Sequence, residues 1–221
     1  MKEMAGKSVQ VLYLTATLLL SKEATFHEAV GILEREMFIL RDRTVRPNIA
    51  YAVVGYERKE EDEEVQQLVE EKLDQHLEPG QVIVYCQKVE QVKRLAAVLG
   101  CSVYHCTIRD QKKKKGILRR LTEQTEQVFM ATNALGVGID APMIQVVIYV
   151  GIPKELKQYS QESGRAGRDR QASEAIIMQA NTTDRNSRRR REVGYNTEDV
   201  IKEFVAGKRY RQTVLDRYIN R

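Results

Sequence analysis

Two arginines, Arg165 and Arg168, close the run Gln158-Tyr-Ser-Gln-Glu-Ser-Gly-Arg-Ala-Gly-Arg-Asp169, and Gln161 stands four residues ahead of the first. On a helix these three positions fall at i, i+4 and i+7, so one amide and two guanidinium groups would project from one side. Ser160, Gly164 and Gly167 would form an adjoining stripe almost without side chains. Glycine inside a helix costs about 1 kcal/mol relative to alanine, so two of them imply that another backbone or a ligand comes close. Guanidinium groups facing outward into a shared crevice make a planar clamp for phosphate oxygens, which is the geometry of an arginine finger acting on a γ-phosphate. The competing reading is a surface helix whose arginines pair with nearby carboxylates.

A second chemical segment is Ala131-Thr-Asn-Ala-Leu-Gly-Val-Gly-Ile-Asp140, which follows an apolar run. If that run is a strand, the segment leaves its carboxyl end, where α/β sheets bind ligands. Its hydroxyl, glycine amides and terminal carboxylate could hold a nucleic-acid phosphate and a nucleotide sugar.

The elements that must carry these residues are legible as alternating short apolar runs and amphipathic stretches, the pattern of a parallel sheet covered by helices. Strands are expected at 81–86, 102–105, 127–131, 145–150 and 174–178, and upstream at 9–14 and 48–55, where Pro47 marks the start of the run. Helices are expected over 60–77, with Val65, Leu68, Val69, Leu73 and Leu77 as its stripe, over 89–99 with Gly100 as its stop, over a Lys-rich stretch ending near Leu121, and from Pro153 to about Asp169. After Asn181 the chain turns Arg-rich and then helical again, with Val200, Ile201, Phe204 and Val205 on one face, so a boundary is placed near residue 181.

Composition narrows the function classes. A chain of 221 residues with 42% hydrophobic content can bury a real core. Thirty-six Lys and Arg against 31 Asp and Glu give a charge of +5, which suits contact with phosphates without requiring it. Lys112 to Lys115, Arg188 to Arg191 and Glu60 to Glu64 form charge runs whose plain reading is a solvated face or loop. Cys86, Cys101 and Cys106 have no paired spacing, and His27, His76 and His105 are far apart, so neither a zinc site, another metal site nor a disulfide framework is expected. The longest apolar stretch, around Val11 to Leu20, is too short to span a bilayer and follows no cleavable leader, so the protein is expected to be intracellular and not secreted.

The run Gln161 to Asp169 resembles the last helicase motif of RecQ-type DNA helicases, and Thr132 to Asp140 resembles the motif before it. Leu14-Thr-Ala-Thr17 is similar to the Ser/Thr-Ala-Thr motif linking the two motor lobes, and Arg46-Pro-Asn-Ile-Ala-Tyr51 to the opening of lobe two. Val82 to Cys86 with Tyr104-His105 resembles the next motif and its partner strand. The resemblance covers roughly residues 9 to 219 and is specific, because most RNA helicases of the wider superfamily begin the last motif with His-Arg.

The resemblance implies an α/β, RecA-like doubly wound parallel sheet with flanking helices and a short helical C-terminal extension. It divides the chain into the tail of a first lobe with its linker (1–35), the helicase C-terminal lobe (36–180) and the start of a truncated RecQ zinc-binding-like subdomain (181–221). It further implies ATP with Mg²⁺ between two lobes and 3′-to-5′ translocation on DNA at a junction of single strand and duplex. Carried over by position, Arg168 is the finger, supported by Arg165 and Gln161; Asp140, Gly138 and Gly164 lie toward the nucleotide; Thr132, Asn133 and Thr107 toward the DNA; Thr15 and Thr17 couple the lobes.

A complete motor also needs a Gly-x-x-x-x-Gly-Lys-Ser/Thr phosphate loop and an Asp-Glu pair for Mg²⁺. Gly6-Lys7-Ser8 and Asp62-Glu63 imitate the two, but the loop's first glycine would be Met1 and the acidic pair follows no apolar strand. The chain is therefore expected to be part of a longer motor, inactive without a first lobe supplied in cis or trans. The zinc-binding subdomain of the family usually carries a cysteine where Tyr210 stands, so no zinc is expected, and docking of the helix over 204–220 is in question. The alternatives are a non-catalytic remnant that binds nucleic acid or a partner, and an RNA helicase lobe. A nuclear address is implied by the family and only weakly by Arg188 to Arg191.

Overall fold

A computed structural model describes residues 11–15, 18–41, 45–76, 80–133, 135, 141, 143–181, 197–207 and 209–220. Its centre is one six-stranded sheet in the order β1-β6-β5-β2-β4-β3, with every neighbouring pair parallel. The strands are β1 (Ile49–Tyr56), β2 (Gln81–Cys86), β3 (Ser102–Tyr104), β4 (Val128–Ala131), β5 (Ile144–Val150) and β6 (Ser173–Ala180). Between and around them run α1 (Glu23–Val30), α2 (Glu61–Gln75), α3 (Val89–Leu99), α4 (Gln111–Thr122), α5 (Leu156–Ser163), α6 (Thr197–Ala206) and α7 (Arg211–Asn220). The expected RecA-like, doubly wound α/β layer is what the chain forms.

Successive strand residues point to opposite faces, and both faces are covered, so the central strands are mostly apolar instead of alternating, with Gln81 and Gln145 as buried polar residues near their starts. Every residue of β2 and β5 is buried. Val82, Val84, Val146, Ile148, Ile176 and Met178 turn toward Val65 and Val69 of α2 and Val92 and Leu95 of α3. Ile83, Tyr85, Phe129, Val147, Tyr149 and Ile177 turn the other way, toward Ile117 and Leu121 of α4 and Leu156 and Tyr159 of α5.

Local chemistry explains where the helices begin and end. The Asp110 carboxylate accepts from the amides of Lys112 (2.8 Å) and Lys113 (3.2 Å), capping α4. The lysines that follow lie on its solvated side while Ile117 and Leu121 are buried. α3 stops at Gly100, whose φ of +63° is a left-handed conformation that glycine adopts without strain. The acidic run Glu61 to Glu64 occupies the first turn of α2, where negative charge favours the helix dipole, and Glu61 and Asp62 pair with Arg94 of α3.

Three expectations are corrected. Residues 11–14 form no strand: they join no ladder, and Leu12 and Leu14 are 77% and 85% exposed. Apolar composition alone does not make a strand, which needs a ladder partner, and none of the six strands pairs with this segment. The helix after Pro153 ends at Ser163 and not near Asp169. The stretch 204–220 is two helices, because Gly207 has a φ of +64° and breaks the axis. Both pieces nevertheless dock: Val200, Ile201 and Phe204 of α6 and Val214, Leu215 and Ile219 of α7 are buried in the same core as α4 and α5. Phe204 is fully buried, with ring centroids 5.4 Å from Tyr159 and 6.1 Å from Tyr51. Gln212 Nε2 of α7 donates to the carbonyl of Ile49 at 2.9 Å. Among the described residues no helix is long and apolar enough to cross a membrane.

Candidate nucleotide and nucleic-acid site

The arginine motif is a turn, not a helix face. The amide of Gly164 bonds back to Ser160, then Arg165 to Glu162 (3.2 Å) and Ala166 to Ser163 (3.1 Å), the tightening of a helix that is ending. Gly167 leaves the axis altogether, with φ of +62° and its amide donating to the carbonyl of Ile144, the first residue of β5, at 2.8 Å. Gln161 is consequently exposed while Arg165 is 8% exposed and Arg168 half-buried, so the three do not share one open helix face. Both arginines are engaged within the chain.

The glycines here serve close approach, as their spacing suggested, but to the chain itself. A Cβ on Gly167 would lie 2.3 Å from Asn48 Nδ2 and 2.8 Å from Ser173 Oγ, and one on Gly164 would lie 2.9 Å from the carbonyl of Ser160. Around the turn the polar partners are long-range: Gln145 Nε2 donates to Asp169 Oδ2 at 2.7 Å, Ser173 Oγ donates to Gln145 Oε1 at 2.8 Å, and Arg46 Nη1 donates to the carbonyl of Ala166 at 3.3 Å.

Electrostatics show what the turn gathers. Arg46 has its pKa lowered by burial and then by the like charge of Arg168. The buried hydroxyl of Tyr85 on β2 is pushed up, chiefly by desolvation, and feels Arg165, Glu162 and Arg168. Glu162 is 5% exposed; burial pushes its carboxyl up to about 7, against a hydrogen bond from Gln158 Nε2 (2.9 Å) and the nearby Arg165. Arg165 and Arg168 thus both act on Tyr85, Arg165 also lies beside a carboxyl group that is only partly ionised near neutral pH, and Arg46 feels the charge of Arg168. Phosphate oxygens are the matching ligand for such a donor set.

Thr132 and Asn133 follow β4 at its carboxyl end, Thr132 buried and Asn133 exposed. The Thr132 amide donates to the carbonyl of Tyr104 at 3.1 Å, drawing the loop against the end of β3. Thr107 lies just past that strand, its hydroxyl 2.7 Å from His105 Nδ1. Tyr85 stands in register with Ala131, so Thr132 and the residue that senses both arginines are neighbours across the sheet. Thr15 lies in the stretch that forms no strand. Thr17, Gly138, Asp140, the phosphate-loop imitation at 6–8, Leu77 and Arg188 to Arg191 lie outside the described residues. Among the described residues no group of His, Cys, Asp and Glu could hold a metal ion.

By sequence Arg46 and Asn48 belong only to the motif resembling the opening of lobe two, and Gln145 only to the start of a strand, and none of the three is given a role at the site. Polar residues at the openings of apolar strands name no partner by themselves.

Residues 63–170 match the family of the helicase conserved C-terminal domain. The ATP-dependent DNA helicase RecQ of Bacillus subtilis (strain 168) is 35% identical over 156 residues, covering 65% of this chain and 25% of that protein. The RecQ-like DNA helicase blm-1 of Caenorhabditis elegans is 30% identical over 202 residues, covering 89% of this chain and 20% of that protein. This chain therefore spans a quarter or less of the length of these two relatives. The solved structure of Mss116p bound to single-stranded RNA and AMP-PNP shares the fold, with a TM-score of 0.60 at 15% identity over 75% of this chain and 35% of that one.

Proposed function

Because this chain belongs to the RecQ-type helicases through their conserved C-terminal helicase domain, we propose that it acts as the second motor lobe of an ATP-dependent 3′-to-5′ DNA helicase. The observation that carries the reading is that Arg165 and Arg168 lie together beside Tyr85, with Arg46 next to Arg168 and bonded to the Ala166 carbonyl of the same turn, which the sheet holds. Gathering like charges costs free energy that an incoming polyphosphate offsets.

Bound ATP with Mg²⁺, held mainly by a first lobe in cis or trans, would supply the phosphoryl group to be cleaved. In this reading Arg168, the more exposed of the pair, reaches the γ-phosphate oxygens as charge develops on them. Arg165, buried beside Glu162 and Tyr85, supports it, and exposed Gln161 faces the lobe interface. Asp140, Gly138 and Gly164 border the nucleotide. Thr132, Asn133 and Thr107, at the carboxyl ends of β3 and β4, contact the DNA backbone near the junction of single strand and duplex. Thr15 and Thr17 relay the nucleotide state between lobes. The nuclear address belongs to the same proposal.

The test is DNA-stimulated ATP hydrolysis by the chain with and without a first lobe carrying the phosphate loop and acidic pair. The chain alone should show negligible turnover. In the assembled motor Arg168→Ala should lower kcat on the order of a thousandfold, the low end for loss of an arginine finger, with DNA affinity little changed. Turnover by the chain alone, or an undiminished kcat in the variant, would overturn the reading.

A further inference from the structure

We infer that Asn48 is the positioning residue of the arginine turn, a clamp that bridges the turn's two ends and presents Arg168 in one conformation. The inference rests on the phosphate reading of the turn only for what that positioning achieves.

The turn cannot hold its own shape cheaply. Gly167 has φ of +62° and Arg170 φ of +69°, and a left-handed conformation at a residue with a side chain such as Arg170 is strained. Between these two residues lie Arg168 and Asp169. The Asn48 side chain spans the gap: its Nδ2 donates to the carbonyl of Gly167 at 2.9 Å and to the carbonyl of Gln171 at 2.8 Å. An amide nitrogen carries two hydrogens, and both are used. Because both neighbours are acceptors, the nitrogen must face them, so the amide's orientation follows from the chemistry.

Asn48 is itself immobilised by the sheet. Its carbonyl accepts from the amide of Ser173 at 2.9 Å, one step before the ladder in which Ile49 pairs with Ser173. Arg46, two residues earlier, adds its bond to Ala166. The Asn48 amide approaches Gly167 so closely that no other residue fits there. The Arg-Pro-Asn tripeptide that opens β1 and the Gly-Arg-Ala-Gly-Arg run are thus two halves of one device, joined across 119 residues of sequence.

Hydrogen-bond donation, not bulk, is what the clamp supplies, so Asn48→Asp is the discriminating variant. It keeps size and shape but aims a carboxylate at two carbonyl oxygens. The measurement is the rate of phenylglyoxal modification of Arg165 and Arg168 in the intact chain, read by peptide mass spectrometry, with and without inorganic tripolyphosphate. The melting temperature of each variant is recorded alongside. Asn48→Asp and Asn48→Ala should raise the Arg168 rate on the order of tenfold or more, the change expected when two hydrogen bonds of ordinary net worth leave the closed state. Gln212→Ala, which removes a side-chain bond to the neighbouring Ile49 carbonyl and touches no part of the turn, should leave that rate unchanged. Should Asn48→Asp fail to fold, Asn48→Ser, with one shorter donor, should give an intermediate rate.

A wild-type rate in Asn48→Asp, or the same acceleration in Gln212→Ala at equal loss of melting temperature, would overturn the clamp. Tripolyphosphate should slow modification of Arg168 in the wild-type chain and not in Asn48→Asp. No protection in the wild-type chain would count against the phosphate reading alone, since the rate difference without ligand still judges the clamp.

Discussion

Replacing Glu162 by glutamine should make the protein more stable at pH 8 and leave it nearly unchanged at pH 4.5. The wild-type carboxyl is 5% exposed, accepts one hydrogen bond through Oε1, and has its second oxygen buried with no hydrogen-bond partner among the described residues. Burial is the largest influence and raises its pKa from 4.5 to about 7; Gln158 and Arg165 oppose it without cancelling it. The folded state therefore keeps this proton at pH values where the unfolded chain has released it. Between pH 4.5 and 7 the native protein binds more protons than the unfolded one, so stability falls as pH rises through that window. At about 1.4 kcal/mol per pH unit, ionising the group in the folded state costs about 3 kcal/mol by pH 8. Glutamine cannot ionise, keeps an oxygen for Gln158, and removes this cost. Urea denaturation followed by circular dichroism at pH 4.5 and pH 8, for wild type and Glu162→Gln, measures it. A difference between the two proteins that is the same at both pH values, or a variant less stable than wild type at pH 8, would show that Arg165 stabilises the carboxylate more than burial opposes it, and would refute the reasoning.

Gly167→Ala should destabilise the chain by roughly 2 to 4 kcal/mol, since it combines a left-handed backbone with a Cβ 2.3 Å from Asn48 Nδ2, and chemical denaturation should show it. In a double-mutant cycle with Asn48→Ala the cost should be less than additive, because the closest clash is then removed. Phe204→Ala should cost about 3 to 5 kcal/mol in one cooperative transition, because that ring is fully buried against Tyr159 and Tyr51 of the main core. A separate early transition for α6 and α7 would show that they do not share the lobe's stability.

The strands and most helices were legible because burial on two faces writes itself as continuous apolar runs, and because Gly100 and Asp110 end and begin helices by local chemistry. The arginine segment misled for an equally physical reason. Spacing at i, i+4 and i+7 is indifferent to backbone conformation, whereas Gly167 takes a left-handed φ and bonds to Ile144 of another strand. The residue types of the motif thus suggested a chemistry, while their spacing did not give its shape. Residues 11–14 look like a strand by composition, and what a strand also needs, a partner to pair with, is not written in its own sequence. The contacts of Asn48 and Gln145 were not legible because their partners lie 119 and 24 residues away, and a lone amide names no partner.

The ladder between β1 and β6 has a consequence for the order of events as the chain folds. Among the described residues β1 lies at the rim of the sheet and pairs with β6 alone, with Ile49 opposite Ser173. During synthesis it must therefore wait while everything between the two strands is made, and closing so long a loop is an entropic barrier that slows folding. Until then β1 lacks its ladder partner and Asn48 has nothing to grip, so the arginine turn should be among the last parts of the molecule to mature. A nascent chain stalled before residue 173 should be a good substrate for chaperones, and one released there should aggregate.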